Sequence, residues 1–437
     1  MAGTLLFVAA CILGYAVVQK RLSTTPITGP IVFVALGMLA SSRALGIIEV
    51  DTEYVTTVVD ILFQFTLVLV LFTDAASLQF SSWRKDADLP SRLLGIGLPL
   101  TIAIGAVTAA LLFTDLSFWE AAVIGAIIAP TDAALGQAVI SNPRVPERIR
   151  QALDVESGLN DGVSLPFVII FAGLASESTT VRAFETFIRE IGVAVVVGLA
   201  VGIVGGWLLD RAAKADWMGP GWSSIAVIAI ASIAFIVADQ GGGSGFIATF
   251  VAGLAYGTTT RHRIKANEFL AADLGLALVQ VSFLFFGALI LVPSLENITW
   301  QVAVMAVIAL TVARMVPVAL SMTGMGLSWP TLLYMGWFGP RGLATIVFAA
   351  LVVTEADLAG VQTITTVAAV TVGLSVLAHG MTSYAGSQKY ADWYEAQDSD
   401  GLAEAKHVHH WPRPRLHRIA TSSVAADSQE SDGEPST

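Results

Sequence analysis

Apolar residues run in long unbroken stretches along this chain, and polar residues gather in short intervals between them. Stretches of about 18 or more apolar residues recur, and each is long enough as a helix to cross a hydrocarbon layer of roughly 30 Å. About thirteen spans can be drawn, at roughly 3–19, 27–42, 55–79, 92–113, 118–140, 152–175, 187–209, 222–238, 244–258, 270–292, 299–323, 329–353 and 362–384. The stretches are continuous and do not alternate with period two, which excludes a transmembrane β-barrel. The pattern predicts an all-α integral membrane protein.

Composition agrees. Of 437 residues, 55% are hydrophobic and 13% charged, whereas a soluble domain carries about 25% charged residues. The first apolar run has no basic residue before it, so it reads as a retained helix and not as a signal peptide. Cys11 is the one cysteine, which leaves no internal disulfide. Residues 1–385 form the expected membrane domain, surrounded by lipid. Residues 386–437 turn polar with little periodicity and are expected to be a tail that is disordered or only locally ordered. The net charge of −11 is carried partly by that tail. No nucleic-acid signature and no Walker A motif is present, so neither nucleic acid nor ATP is an expected partner.

Basic residues set the orientation. Loops after odd-numbered spans hold 13 Lys or Arg, and loops after even-numbered spans hold three, Arg43, Arg182 and Arg189. The N-terminus is therefore expected outside and the tail in the cytoplasm. Arg314 and Arg341 fall inside spans eleven and twelve. A charge at the bilayer centre costs at least about 2.5–3.5 kcal/mol on insertion scales, so each needs a partner.

Two spans carry a proline beside polar residues at mid-membrane. Span five holds Pro130, Thr131 and Asp132; span twelve holds Gly339, Pro340, Arg341 and Gly342. Proline removes a helical hydrogen bond and clashes with the preceding turn. Freed backbone groups at that depth must face protein or a wet cavity. The two breaks lie seven spans apart, an odd offset that inverts one copy of a six-helix repeat relative to the other. Paired interrupted helices in inverted repeats mark the midplane site of a transporter. Asp132 and Arg341 are placed to offset the dipole ends at the breaks; Asp132 could also be an ion ligand.

Span six holds the densest polar cluster, Glu156, Ser157, Asn160 and Asp161, interleaved with Gly158 and Gly162. Ser157 and Asp161 share one helical face, and Glu156 and Asn160 an adjacent one. The glycines thin the helix so that a neighbour, broken span five, can approach. Glu156 suits an ion pair, with Arg341 as its expected partner. Arg314 reads as a second structural arginine. Asp161 then has no committed cation. A carboxylate taken from water without a partner favours its neutral form, so it can exchange a proton for a cation. Asp161, Ser157, Thr131 and Asn160 offer the oxygen ligands that a hard monovalent ion takes. Asp74, in span three, reads either as part of the ion site, a more distant ligand or cavity wall, or as an interfacial acid near Arg84 and Lys85. His379 reads as packing, and Asp60 and Asp239 carry no assigned role. The tail histidines His407, His409, His410 and His417 could sense pH, bind metal or touch anionic lipid, or simply be solvated.

The stretches APTD (129–132), ESGLNDG (156–162), ARMVPV (313–318) and GPRGLAT (339–345) resemble the NhaP-type sodium/proton antiporters of the monovalent cation/proton antiporter superfamily. The resemblance covers about residues 1–385. It implies thirteen helices, a six-helix core moving against a dimerisation domain, and a homodimer in the cell membrane. It implies that Asp161 alternates between proton and cation, with Thr131 and Ser157 as further ligands, Glu156 paired with Arg341, and Asp132 offsetting dipoles or holding water. Asp74 matches a position where many relatives carry an acid, and Arg314 the family's span-eleven arginine. Asn160 in place of an acid resembles the electroneutral branch. Relatives often carry a proline where this chain has Ala133, and a leucine where it has Pro340. The expected activity is secondary antiport of H⁺ against Na⁺, with K⁺ or Li⁺ as alternative cations and no cofactor. A cation channel is the rival from another class, which would need a continuous wet path. No metal-ligand set or nucleophile–base pair points to an enzyme.

Overall fold

The computed structural model describes residues 2–22, 25–48, 53–78, 87–132, 134–176, 179–219, 221–260, 269–397 and 402–406. Among them every regular element is a helix. The order is α1 (Ala2–Leu22), α2 (Gly29–Ala40), α3 (Glu53–Ser77), α4 (Asp88–Leu112), a broken α5 made of α5a (Phe118–Ile127) and α5b (Gln137–Ser141), and α6 (Glu147–Ser176). Then come α7 (Thr180–Lys214), α8 (Trp222–Gln240), α9 (Gly245–Thr259), α10 (Phe269–Phe285, continued by a π-helical stretch Phe286–Leu291) and α11 (Trp300–Ser321). A broken α12, made of α12a (Trp329–Trp337) and α12b (Leu343–Glu355), and α13 (Val361–Glu395) complete the membrane part. Among the described residues nine helices are long and apolar enough to cross a membrane, and four shorter apolar ones lie between them. Each of the thirteen expected spans corresponds to one helix in this order.

Several helices outrun their hydrophobic stretch. α7 and α13 each have 35 residues. Hydropathy registers only the segment that needs lipid, whereas backbone hydrogen bonding carries a helix on into water. The helical continuation of α13 through Glu395 corrects the expectation of disorder from residue 386. Residues 402–406 are also ordered, with a 3₁₀ turn at Ala403–Ala405. The tail histidines lie outside the described residues.

Packing divides the helices into two groups. α1–α3 with α7–α10 form one, and α4–α6 with α11–α13 form the other. Lipid is as apolar as leucine, so close backbone approach and polar contacts hold such helices together. α9 illustrates this. Gly198, Gly202 and Gly206 repeat every fourth residue on one face of α7, and a Cβ on Gly202 would run into the Ala252 carbonyl of α9. On its other side α9 sets Gly253 and Gly257 against the α3 backbone at Phe72 and Ala76.

In the second group α5a begins with a capping box. Ser117 Oγ accepts from the Glu120 N–H at 3.2 Å, and the Glu120 carboxylate accepts from the Ser117 N–H at 2.8 Å. The same carboxylate takes the Gly360 N–H at 2.7 Å, which ties α5 to the start of α13. α5a thus enters from a fixed end.

Candidate functional site

α5 stops at Ile127 and resumes at Gln137; α12 stops at Trp337 and resumes at Leu343. The two breaks satisfy each other's backbone. The Asp132 N–H donates to the Pro340 carbonyl at 2.7 Å. The Asp132 carboxylate accepts from the Leu343 N–H at 3.0 Å and the Ala134 N–H at 2.8 Å. An anion therefore sits on the positive N-terminus of α12b, the dipole role expected of Asp132. Gly342 is required here, because a Cβ would overlap the Asp132 carboxylate.

Arg341 is fully buried. Its guanidinium donates to the Ala129 carbonyl, to the Pro130 carbonyl at 3.1 Å and to the Ala309 carbonyl of α11 at 3.3 Å. A cation thereby covers the freed carbonyls at the C-terminal end of α5a. Its own N–H donates to Ser375 Oγ of α13 at 2.7 Å, and Ser375 Oγ lies 3.1 Å from His379 Nδ1.

Glu156 does not pair with Arg341. Its partner is Arg314, whose guanidinium donates to both carboxylate oxygens, with Nη2 to Oε2 at 2.8 Å. α11 turns at Thr311, where φ is −115° and ψ −89°, and delivers Arg314 across the bundle to α6. Gly339 makes room for the guanidinium, since a Cβ there would overlap it. The expected Glu156–Arg341 pair is thus replaced because Arg341, sitting on the break itself, is taken by the Ala129, Pro130 and Ala309 carbonyls.

Asp161, Ser157, Thr131, Asp132 and Asp74 come together around one small cavity of about 20 Å³, closed by Leu67, Val70, Ala134, Leu276, Val279 and Leu343. Roughly 10–15 Å³ suffices for one water-sized occupant. Ser157 Oγ donates to the Thr131 carbonyl at 2.7 Å, and Asn160 Nδ2 donates to Thr131 Oγ1 at 2.7 Å. Asn160 is not among the lining residues; it holds Thr131 in place from behind. Asp161 Oδ1 is buried with no hydrogen-bond partner among the described residues. Asp74 is a cavity wall, one of the two expected readings. Gly162 faces Phe250 of α9, whose ring a Cβ would overlap, so it makes room for α9 and not for α5.

A larger cavity of about 460 Å³ opens farther along α3 and α12b. Asp60, Phe63 and Gln64 line it on the α3 face that continues into Leu67, Val70 and Asp74 below. Glu190, Asp239 and Arg189 also line it. Asp60 and Asp239 had no assigned role, since each stands alone among apolar neighbours in its own helix. Ser375 was missed as well, because a single serine in a long helix carries no local signal.

A family model described as sodium/hydrogen exchanger, transmembrane, matches residues 7–383. The K(+)/H(+) antiporter NhaP2 of Shewanella oneidensis is 28% identical over 360 residues, which cover 80% of this chain and 60% of that protein. The K(+)/H(+) antiporter NhaP of Alkalimonas amylolytica is 25% identical over 325 residues, covering 73% and 55%. The chain thus spans about 60% of the length of the NhaP2 relatives it matches. Among solved structures, the sodium proton antiporter MjNhaP1 from Methanocaldococcus jannaschii at pH 8 superposes with a TM-score of 0.71 at 22% identity, covering 93% of this chain and 99% of that one.

Proposed function

Because the chain belongs to the sodium/hydrogen exchanger family, we propose that it exchanges protons for a monovalent cation across the membrane by secondary antiport at Asp161. Na⁺ is the first candidate, and K⁺, the ion in the names of the NhaP and NhaP2 relatives, is the alternative. The observation that carries the reading is the Asp161 carboxylate, one oxygen of it without a hydrogen-bond partner among the described residues, on a cavity sized for one occupant. Thr131 and Ser157 offer further oxygens to a bound cation, and Asp132 and Asp74 add negative charge nearby.

The exchange rule follows from charge. A bare carboxylate is costly to carry through an apolar barrier. Either a proton or a cation on Asp161 removes that cost, so the core crosses loaded with one or the other. Asn160 puts an amide where a second acid would add a charge, which supports one cation against one proton. Arg341 and Asp132 remain with the dipole ends in both loaded states, so their charges do not enter the exchange.

The protein is read as a transporter and not as an enzyme, driven by ion gradients without ATP and with no resident cofactor. We read it as a homodimer in the cell membrane, as its resemblance to the NhaP-type antiporters implies, and the excess of Lys and Arg after odd-numbered spans supports an N-terminus outside and a C-terminal segment in the cytoplasm. Everted vesicles with a ΔpH dye test the assignment. Asp161→Asn should abolish cation-dependent proton flux; undiminished flux would sink it. A panel of Na⁺, Li⁺, K⁺ and Rb⁺ on purified protein in liposomes, with ΔpH and membrane-potential dyes, identifies the cation and the charge moved.

A further inference from the structure

The segment 402–406 returns to the membrane domain at the end where α4, α6 and α12a begin. Glu404 is 1% exposed there. Its Oε1 accepts from the Ser328 N–H at 2.8 Å, from Ser328 Oγ at 2.7 Å and from Thr331 Oγ1 at 2.6 Å. Ser328 is the N-cap residue of α12a, yet its side chain caps no amide of its own helix. Ser328 Oγ and Thr331 Oγ1 also lie 2.8 Å apart, and the Tyr390 hydroxyl lies 2.8 Å from Thr331 Oγ1, so three hydroxyls and the carboxylate form one hydrogen-bonded network. Tyr390 stacks on Tyr334 of α12a with ring centroids 4.2 Å apart. Arg148 at the start of α6 holds the segment itself, donating to the Ala403 carbonyl while pairing with Asp88 of α4 at 2.5 Å.

We propose that Glu404 is a positioning residue for ion exchange: it supplies, from the C-terminal segment, the N-terminal cap of the broken helix α12. The carboxylate takes the amide and the hydroxyls that the first turn of α12a presents, and a negative charge there opposes the helix dipole. α12a is nine residues long, or roughly 13 Å, and ends at the break that carries Pro340 and Arg341. So short a helix has little stability of its own. Freed at its first turn, it loses the fixed position of its last. The Pro340 carbonyl that receives Asp132 shifts with it, and so does the wall of the ion cavity. Glu404 touches neither ion, and it acts through the break.

The proposal rests on the exchange reading, and one set of measurements separates the two. Wild type, Glu404→Ala and Glu404→Gln are reconstituted as full chains, and initial exchange rates are measured across Na⁺ and K⁺ concentrations. Glu404→Ala should raise the half-saturating cation concentration roughly fivefold to tenfold, the effect of losing one helix cap, and leave the maximal rate nearly unchanged. Glu404→Gln should show a clearly smaller shift than Glu404→Ala, because its amide oxygen can accept the same three donors although the charge at the helix N-terminus is lost. Hydrogen–deuterium exchange should show faster exchange of the α12a amides in Glu404→Ala than in Glu404→Gln. Wild-type half-saturation and wild-type protection in Glu404→Ala would overturn the proposal, as would equal defects in both variants. No cation-coupled proton flux in the wild type would instead defeat the exchange reading, while the amide protection still reports on the cap. If Glu404→Ala does not assemble, a protease site placed between Gln397 and Leu402 allows the segment to be cut after assembly and washed away. The same shift in half-saturation is then expected, and its absence would overturn the proposal.

Discussion

Arg314 grips the Glu156 carboxylate through both oxygens, and only 5% and 4% of the two side chains reach solvent. Removing one partner of such a pair leaves the other charge buried alone, at a cost of about 3–5 kcal/mol. Glu156→Ala and Arg314→Ala should therefore each lose much of their folded yield in detergent and melt well below wild type. Replacing both together, Glu156→Leu with Arg314→Met, leaves no orphan charge and should melt above either single change. Thermal size-exclusion profiles measure this. A double variant less stable than both singles would contradict the pairing.

Arg341 should behave differently from Arg314. Arg341→Lys keeps a charge but cannot reach the Ala129, Pro130 and Ala309 carbonyls together, because an ammonium lacks the planar fork. Exchange should fall by about tenfold or more, as after loss of roughly 1.4 kcal/mol or more of positioning. Glu156→Gln should alter that loss only modestly, since the two residues share no hydrogen bond and feel each other through charge alone. Strong coupling in a double-mutant cycle would restore a direct Glu156–Arg341 link.

Asp132 uses two oxygens for two amides, Leu343 at 3.0 Å and Ala134 at 2.8 Å. Asn offers one oxygen, so Asp132→Asn gives up one of these bonds and the charge on α12b. The cost should be about 0.5–2 kcal/mol, the value of a helix cap. Cation affinity should weaken while the protein stays folded, and the loss should exceed that of Asp74→Asn, whose carboxylate only lines the cavity. Isothermal or flux-based affinities compare the two.

Gly162, next in sequence to Asp161, faces the Phe250 ring of α9. Gly162→Ala should impair exchange because the added methyl meets an aromatic ring held between two helix groups. Phe250→Val in the same chain should restore most of the activity. Failure of the second change to rescue would show that Gly162 serves something other than this approach.

The Glu404 carboxyl responds to opposing influences. Burial alone would raise it, but hydrogen bonds from Thr331 and Ser328 outweigh that and hold it below the ordinary glutamate range. A group depressed on docking contributes stability above its ordinary value, about 4.3, and loses it as pH falls through the lower docked value. Among the described residues, Tyr390, Tyr394, Arg148, Asp88 and Lys406 lie around it. With the tail histidines His407, His409, His410 and His417 replaced by Gln, docking of segment 402–406 should thus be constant between about pH 6 and 8. A fluorophore pair on residue 406 and the α4 end measures it, and a transition in that window in this variant would contradict the assigned bonds.

Much of this molecule was legible without coordinates. The helical spans and two breaks follow from continuous apolar runs and from Pro130 and Pro340, and the cluster around Asp161 from polar residues set in an apolar span. Those are local properties, set by what a lipid layer and a helical backbone tolerate. Partner choice was not local. Arg314 and Arg341 are both arginines inside apolar spans, and nothing in either stretch says which one reaches Glu156. Only the crossing of α5 and α12 decides it, because it surrounds Arg341 with carbonyls that the breaks leave open. Glu404 was hidden for the opposite reason. It lies in a polar, aperiodic stretch that reads as solvated tail, and its burial exists only because Ser328, Thr331 and Arg148, far apart in sequence, meet at one end of the folded bundle.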